Sequence, residues 1–147
     1  MIKLNVDGGL DQKNGLFGMG AVCRDDQGDC VGILATLGVG FPSPYSCEMM
    51  ALRNGLHFCV QVGFTHVEVE CDCQAVVNAI NLAEEDLSPK GAIVDEIRTL
   101  PVFFSLLVCV LSQEVAIMHH IMWLNMLFPS LFIPIGAEWF RIGLVMF

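Results

Sequence analysis

The sequence predicts an α/β domain with the element order β-β-β-α-β-α-α-β. Three observations predict it. Apolar and polar residues alternate at period two near the start and again around residue 67, helical i, i+3, i+4 stripes follow residues 46, 72 and 88, and clusters of Gly, Asp and Pro separate these segments. At 147 residues the chain has room for one domain with a single sizeable core.

The first strand is "IKLNV", residues 2–6, which runs into Asp7-Gly8-Gly9 as a half-buried strand runs into a turn. Asp7 is thereby placed at or near a strand end. "GMGAVCRDDQGDCVGILATLG" reads as an antiparallel hairpin, with strands at residues 18–24 and 30–37 joined by the turn-rich "DDQGD". From Ser46 the spacing turns helical through Met50, Leu52, Leu56, Cys59 and Val60, Glu48 falls in the first turn, and Gly63 is placed to end the helix. "THVEVECD" alternates again with Val67, Val69 and Cys71 on one face, and "CQAVVNAINLA" follows as a helix, so Asp72 marks a strand-to-helix junction. In "DLSPKGAIVDEIRTL", Ser88 is an N-cap, Pro89 the first helical residue, and Ile93, Ile97 and Leu100 share one side. "VFFSLLVCV", residues 102–110, has the length and content of a buried strand. The segment between the first strand and the one before Asp72 is long enough for a crossover, so those two strands can lie parallel and adjacent. Asp7 and Asp72 then meet.

The charge lies almost entirely in this part of the chain. Residues 1–100 hold 6 basic and 14 acidic side chains of a total net charge of −9, and an acidic face repels nucleic-acid phosphate unless metal ions intervene. Lys13, Arg24 and Arg53 read as ordinary surface charge. No basic segment followed by an apolar run opens the chain, which reads as cytoplasmic or nuclear rather than secreted. Seven cysteines without an export signal fit reduced thiols, and Cys71-x-Cys73 is too isolated to read as a zinc motif. The chain opens on its first strand, which admits a longer gene product of which this is a fragment.

Asp7, Glu48 and Asp72 all fall at element ends and are candidates for a shared site. Hard carboxylate oxygens bind Mg²⁺ or Mn²⁺, and two such ions about 3.5–4 Å apart suit phosphodiester cleavage. The alternative for each acid is a solvated end or a favourable charge at a helix N-terminus.

Taken together, "KLNVDGG", "GMGAVCRDDQGD", "CEMMALRNGL", "VEVECDCQAVVNAI" and "EEDLSPKGAIVDEI" resemble the plant-type RNase H-like domains, relatives of type 1 ribonuclease H and of retroelement RNase H domains. The pieces stand in family order from residue 3 to about 100. The resemblance implies an RNase H-like mixed five-stranded sheet flanked by helices. It also implies Mg²⁺- or Mn²⁺-dependent endonucleolytic cleavage of the RNA strand of RNA–DNA hybrids. The first three of the family's four acids map onto Asp7 in "NVDGG", Glu48 in "CEMMAL" and Asp72 in "ECDC", as catalytic and metal-binding residues. Met49 and Met50 depart mildly from the small residue that usually follows the glutamate. Hybrid recognition in such a fold is expected to be independent of sequence, since it rests on backbone and 2′-hydroxyl contacts.

Residues 101–147 carry only Glu114, Glu138 and Arg141 as charges, and the 23 residues from Val115 to Ala137 have none. That is long enough for a membrane helix, but His119, His120, Asn125, Pro129 and Pro134 argue against a simple one. His119 and His120 are adjacent and point to different faces, against joint ligation of a metal. The family's last helix, of the form N-x-x-A-(H or D)-x-L-A-K-x-A, is missing. A displaced reading frame restores it. When the third base of each codon is joined to the first two of the next, residues 109–128 permit "CPKSGGSNHAPHYVAKHAL". In that frame Met118-His119 forces an alanine and Met122-Trp123 a valine, while "EWFRIGLVMF" permits "VVSDWLGDV". Residues 1–110 therefore read as a truncated RNase H-like domain and 111–147 as an atypical apolar, out-of-frame tail, with the shift between about Pro101 and Cys109. At the family's fourth metal position the restored codon, from His120 and Ile121, spells only histidine or tyrosine. Two alternatives stay open at this stage: a catalytically inactive nucleic-acid-binding or pseudogene product, and a tail-anchored membrane protein.

Overall fold

The computed structural model describes residues 1–81, 89–111 and 143–144. In chain order they form β1 (Ile2–Asp11), β2 (Leu16–Arg24), β3 (Cys30–Val39), α1 (Pro44–Val62), β4 (His66–Cys71), α2 (Gln74–Asn81), α3 (Pro89–Thr99) and β5 (Leu106–Leu111). The expected element order is thus observed. The sheet runs β5-β4-β1-β2-β3, and a two-residue β6 (Gly143–Leu144) adds to its β3 edge in parallel. β1, β2 and β3 pair antiparallel, whereas β4 pairs parallel with β1 on one side and with β5 on the other.

Local chemistry sets the boundaries. Asp25 closes the β2–β3 turn, its carboxylate accepting from the N–H groups of Gln27 and Asp29, both at 2.9 Å. Ser43 caps α1 by accepting from the Ser46 N–H at 3.1 Å, and Pro44 takes the first helical position, where a missing N–H costs nothing. Gly63 ends the helix at φ 88°, its N–H donating to the carbonyls of Cys59 and Val60. α1 therefore starts two residues earlier than its apolar stripe suggests, and Glu48 lies in the second turn rather than the first.

Several strand boundaries differ from expectation: β2 begins two residues earlier, at Leu16, β3 ends two residues later, at Val39, and the end of β1 and the start of β5 also move. β1 does not stop at Asp7 but continues through Gly8 and Gly9 to Asp11, paired with β2 throughout. Gly8 is there because α1 crosses it closely: a Cβ on Gly8 would stand 2.8 Å from the backbone carbon of Cys47. Gly8→Ala is expected to push α1 off β1 and to lower stability by about 1–3 kcal/mol, read as a shift in the denaturant midpoint. β5 begins at Leu106, because Leu100–Phe103 form a 3-10 turn closed by the Phe104 N–H on the Pro101 carbonyl. The strand starts once Ser105 donates to the Thr65 carbonyl at 2.7 Å.

The core is the face of the sheet beneath α1. Leu4 and Val6 of β1, Ala21 and Cys23 of β2, and Val67, Val69 and Cys71 of β4 pack with Met49, Leu52, Leu56 and Cys59 of α1. Val94, Ile97 and Leu100 close it from the side of α3. One polar network pins the parallel pair. Glu70 accepts from Lys3 Nζ at 2.8 Å and from Asn5 Nδ2 at 2.6 Å, directly across from Asn5 in the β1–β4 register. Burial alone would raise the Glu70 pKa, but those two donors and the Lys3 and Arg24 charges outweigh it and hold the pKa below the usual value.

Among the described residues no helix is long and apolar enough to cross a membrane. The expected Ser88 cap, the uncharged run at 115–137 and the displaced last helix lie outside the described residues.

Candidate active site

The register of the parallel pair builds the site. β1 and β4 last pair at Asn5 and Glu70; two residues further along each chain stand Asp7 and Asp72. Asp7 is buried within the continuing β1, at 4% exposure, while Asp72 is exposed in the bend between β4 and α2. α1 reaches across the same end of the sheet and contributes Glu48 from its second turn.

The structure brings Glu48 and Asp72 together directly. Their carboxylate oxygens and the Cys71 sulfur lie within 4.8 Å of one another. Asp7 stands outside that trio but acts on Glu48 electrostatically. Burial first, then the charge of Asp7 and more weakly that of Asp72, raise the Glu48 pKa to about 8, against the pull of the Gly8 N–H. Glu48 Oε2 is buried with no hydrogen-bond partner. A buried carboxylate oxygen without a protein partner, crowded by two further carboxylates, is the donor set that a hard divalent cation satisfies.

Two cysteines border these acids. Cys47 donates to the carbonyls of Gly18 at 3.4 Å and Gly9 at 3.7 Å, and burial, with Glu48 and Asp7 nearby, pushes its thiol up to about 12. Cys71 is fully buried, and burial likewise pushes it up to about 12. Reading Cys71 only as a core residue missed its place in the cluster. The available signal was its position, one residue before Asp72 on the strand face that α1 covers. Arg53 pairs with Glu96 at 3.6 Å.

A family model described as reverse transcriptase-like matches residues 5–107. No curated protein is significantly similar to the chain. Among solved structures, the RNase H1 of the archaeon Halobacterium salinarum is 20% identical with a TM-score of 0.69, covering 78% of this chain and 87% of that one. The N-terminal RNase H domain of a Mycobacterium tuberculosis protein is 17% identical with a TM-score of 0.70, covering 88% and 98%. An RNase H1 isolated from compost, solved in complex with an RNA/DNA hybrid, is 24% identical with a TM-score of 0.61, covering 78% and 86%. At these identities the structures speak for the fold; the family match, spanning β1 to the start of β5, speaks for descent. The chain belongs to the reverse transcriptase-like family of RNase H-like domains.

Proposed function

We propose that this domain binds RNA–DNA hybrids and cleaves their RNA strand endonucleolytically, with Asp7, Glu48 and Asp72 as the residues that hold Mg²⁺ or Mn²⁺. The observation that carries this is the meeting of Glu48 from α1 with Asp72 from the β4–α2 junction, with the charge of Asp7 in β1 acting on Glu48 and Glu48 Oε2 buried without a partner. Bound there, the cation supplies Lewis-acid stabilisation of charge at the scissile phosphate. The protein supplies the rest. Asp7 and Glu48, sunk at the end of the sheet, would offer carboxylate oxygens to the cation, Glu48 giving up its proton as the cation binds. Asp72, exposed at the rim, faces incoming nucleic acid. With a net charge of −9, hybrid binding is expected to depend on the divalent cation.

The fold it shares with an RNase H1 solved on an RNA/DNA hybrid supports the choice of substrate. The test is incubation of end-labelled hybrid, duplex RNA and duplex DNA with the chain in Mg²⁺ or Mn²⁺. Internal cuts confined to the RNA of the hybrid are expected; binding without any cut would instead identify a non-catalytic nucleic-acid-binding domain.

We further infer that residues beyond about 110 are read out of frame, so that the family's fourth metal position is missing from the chain as written. Sequencing codons 100–128 tests this. An uninterrupted shifted frame spelling the N-x-x-P-H-x-V-A-K helix is expected, and a stop codon where Leu124 meets Asn125 excludes it.

A further inference from the structure

Beyond the oxygen ligands, the cluster contains a sulfur. We propose that Glu48, Cys71 and Asp72 form a site for a thiophilic divalent cation such as Zn²⁺ or Cd²⁺, overlapping the position that Mg²⁺ takes and blocking it. The site itself rests on the geometry of the three side chains; only the consequence for cleavage rests on the nuclease reading.

Distance is the first argument. Two ligands of one tetrahedral Zn²⁺, a thiolate at about 2.3 Å and a carboxylate oxygen at about 2.0–2.2 Å, are about 3.4–3.6 Å apart. The three donor atoms here lie within 4.8 Å of one another, so side-chain rotations that close them by about an ångström bring them onto a common ion. The donors also approach from separate directions. Glu48 comes from α1, Cys71 from the core face at the end of β4, and Asp72 from the solvent side of the following bend.

Glu48 Oε2 is moreover buried and bonded to nothing in the protein, an oxygen that a cation would satisfy. Selectivity follows from ligand softness. Mg²⁺ and Mn²⁺ take oxygen and leave a buried thiol as a neutral neighbour, whereas Zn²⁺ and Cd²⁺ bind the sulfur, the S–H proton passing to solvent as the metal–sulfur bond forms. The same pocket thus distinguishes two classes of cation through one residue. Cys73, two positions along and half-buried, is not part of the trio and serves as the control.

The test is a Cd²⁺ titration of the reduced, metal-free full chain, followed by the ultraviolet thiolate-to-cadmium charge-transfer absorption. One equivalent is expected to develop the band, Cys71→Ser to abolish it, and Cys73→Ser to retain it. Glu48→Gln and Asp72→Asn should each weaken Cd²⁺ binding by roughly tenfold or more. Excess Mg²⁺ should compete with the band. An unchanged band in Cys71→Ser overturns the thiol's role, and failure of Mg²⁺ to compete overturns the overlap. If Cys71→Ser does not fold, the two carboxylate variants decide: unaltered Cd²⁺ affinity in both overturns the site. None of these readings needs turnover, so an inactive enzyme does not obscure them. Where hybrid is cleaved, Zn²⁺ should inhibit wild type more strongly than Cys71→Ser, and equal inhibition counts against the proposal.

Discussion

Asp72→Asn is expected to lower metal-dependent hybrid cleavage by at least roughly a hundredfold, the scale seen when one preorganised electrostatic group is removed from an active site. It should change the melting temperature little. The reason for the split is position. Asp72 is exposed in the bend after β4, where substitutions away from the core usually shift stability by no more than about 0.5 kcal/mol. Asparagine keeps the shape and loses the charge. Asp7→Asn should abolish cleavage as well but differs in its second effect, since Asp7 is buried and its charge helps to raise the Glu48 pKa. Single-turnover rates on a labelled hybrid, alongside thermal melts of each variant, separate the two. A wild-type rate in Asp72→Asn would sink the catalytic assignment.

The site was legible in the sequence wherever the signal was local. Period-two alternation ends near Asp7 and Asp72, and the length of chain between the two strands allows a parallel pair, which the β1–β4 register bears out. What escaped depends on partners distant in sequence. Gly8 and Gly9 look like a turn, yet β1 runs through them because β2 pairs along the whole length and α1 needs the space that a side chain on Gly8 would fill. "VFF" looks like strand, yet Pro101 sets a 3-10 turn there, and the strand waits for the Thr65 carbonyl. Glu48 sits two residues further from the helix start than the apolar stripe suggests, because the stripe begins after the Ser43 cap. Cys71 gave no signal of its own, since a cysteine on an alternating strand reads as core until the helix lying over it is known. Their places at element ends made the three acids candidates for a shared site, and motif order singled them out as a set.

Glu48→Gln is expected to stabilise the metal-free protein at alkaline pH while eliminating cleavage. In the folded chain Glu48 titrates near 8, whereas the unfolded value is about 4.5. Between these values the native state holds a proton that the unfolded state has lost. Stability therefore falls as pH rises through that window, with a penalty on the order of 5 kcal/mol once Glu48 is ionised. Glutamine is neutral at every pH and escapes it. Wild type and variant should melt at similar temperatures near pH 4.5 and diverge progressively toward pH 8.5, the variant becoming the more stable. Adding Mg²⁺ should reverse the order at high pH. The cation binds the ionised carboxylate of the wild type and stabilises its native state by mass action, and it finds no such ligand in the variant. The rise in melting temperature caused by Mg²⁺ should accordingly grow between pH 6 and pH 8.5 in wild type and stay small in Glu48→Gln. Melting curves with and without Mg²⁺ across that range check both halves. A variant less stable than wild type at pH 8.5 without metal would mean that the Gly8 N–H holds the ionised Glu48 more strongly than burial and Asp7 oppose it, and the carboxylate cluster would lose its reason for binding a cation.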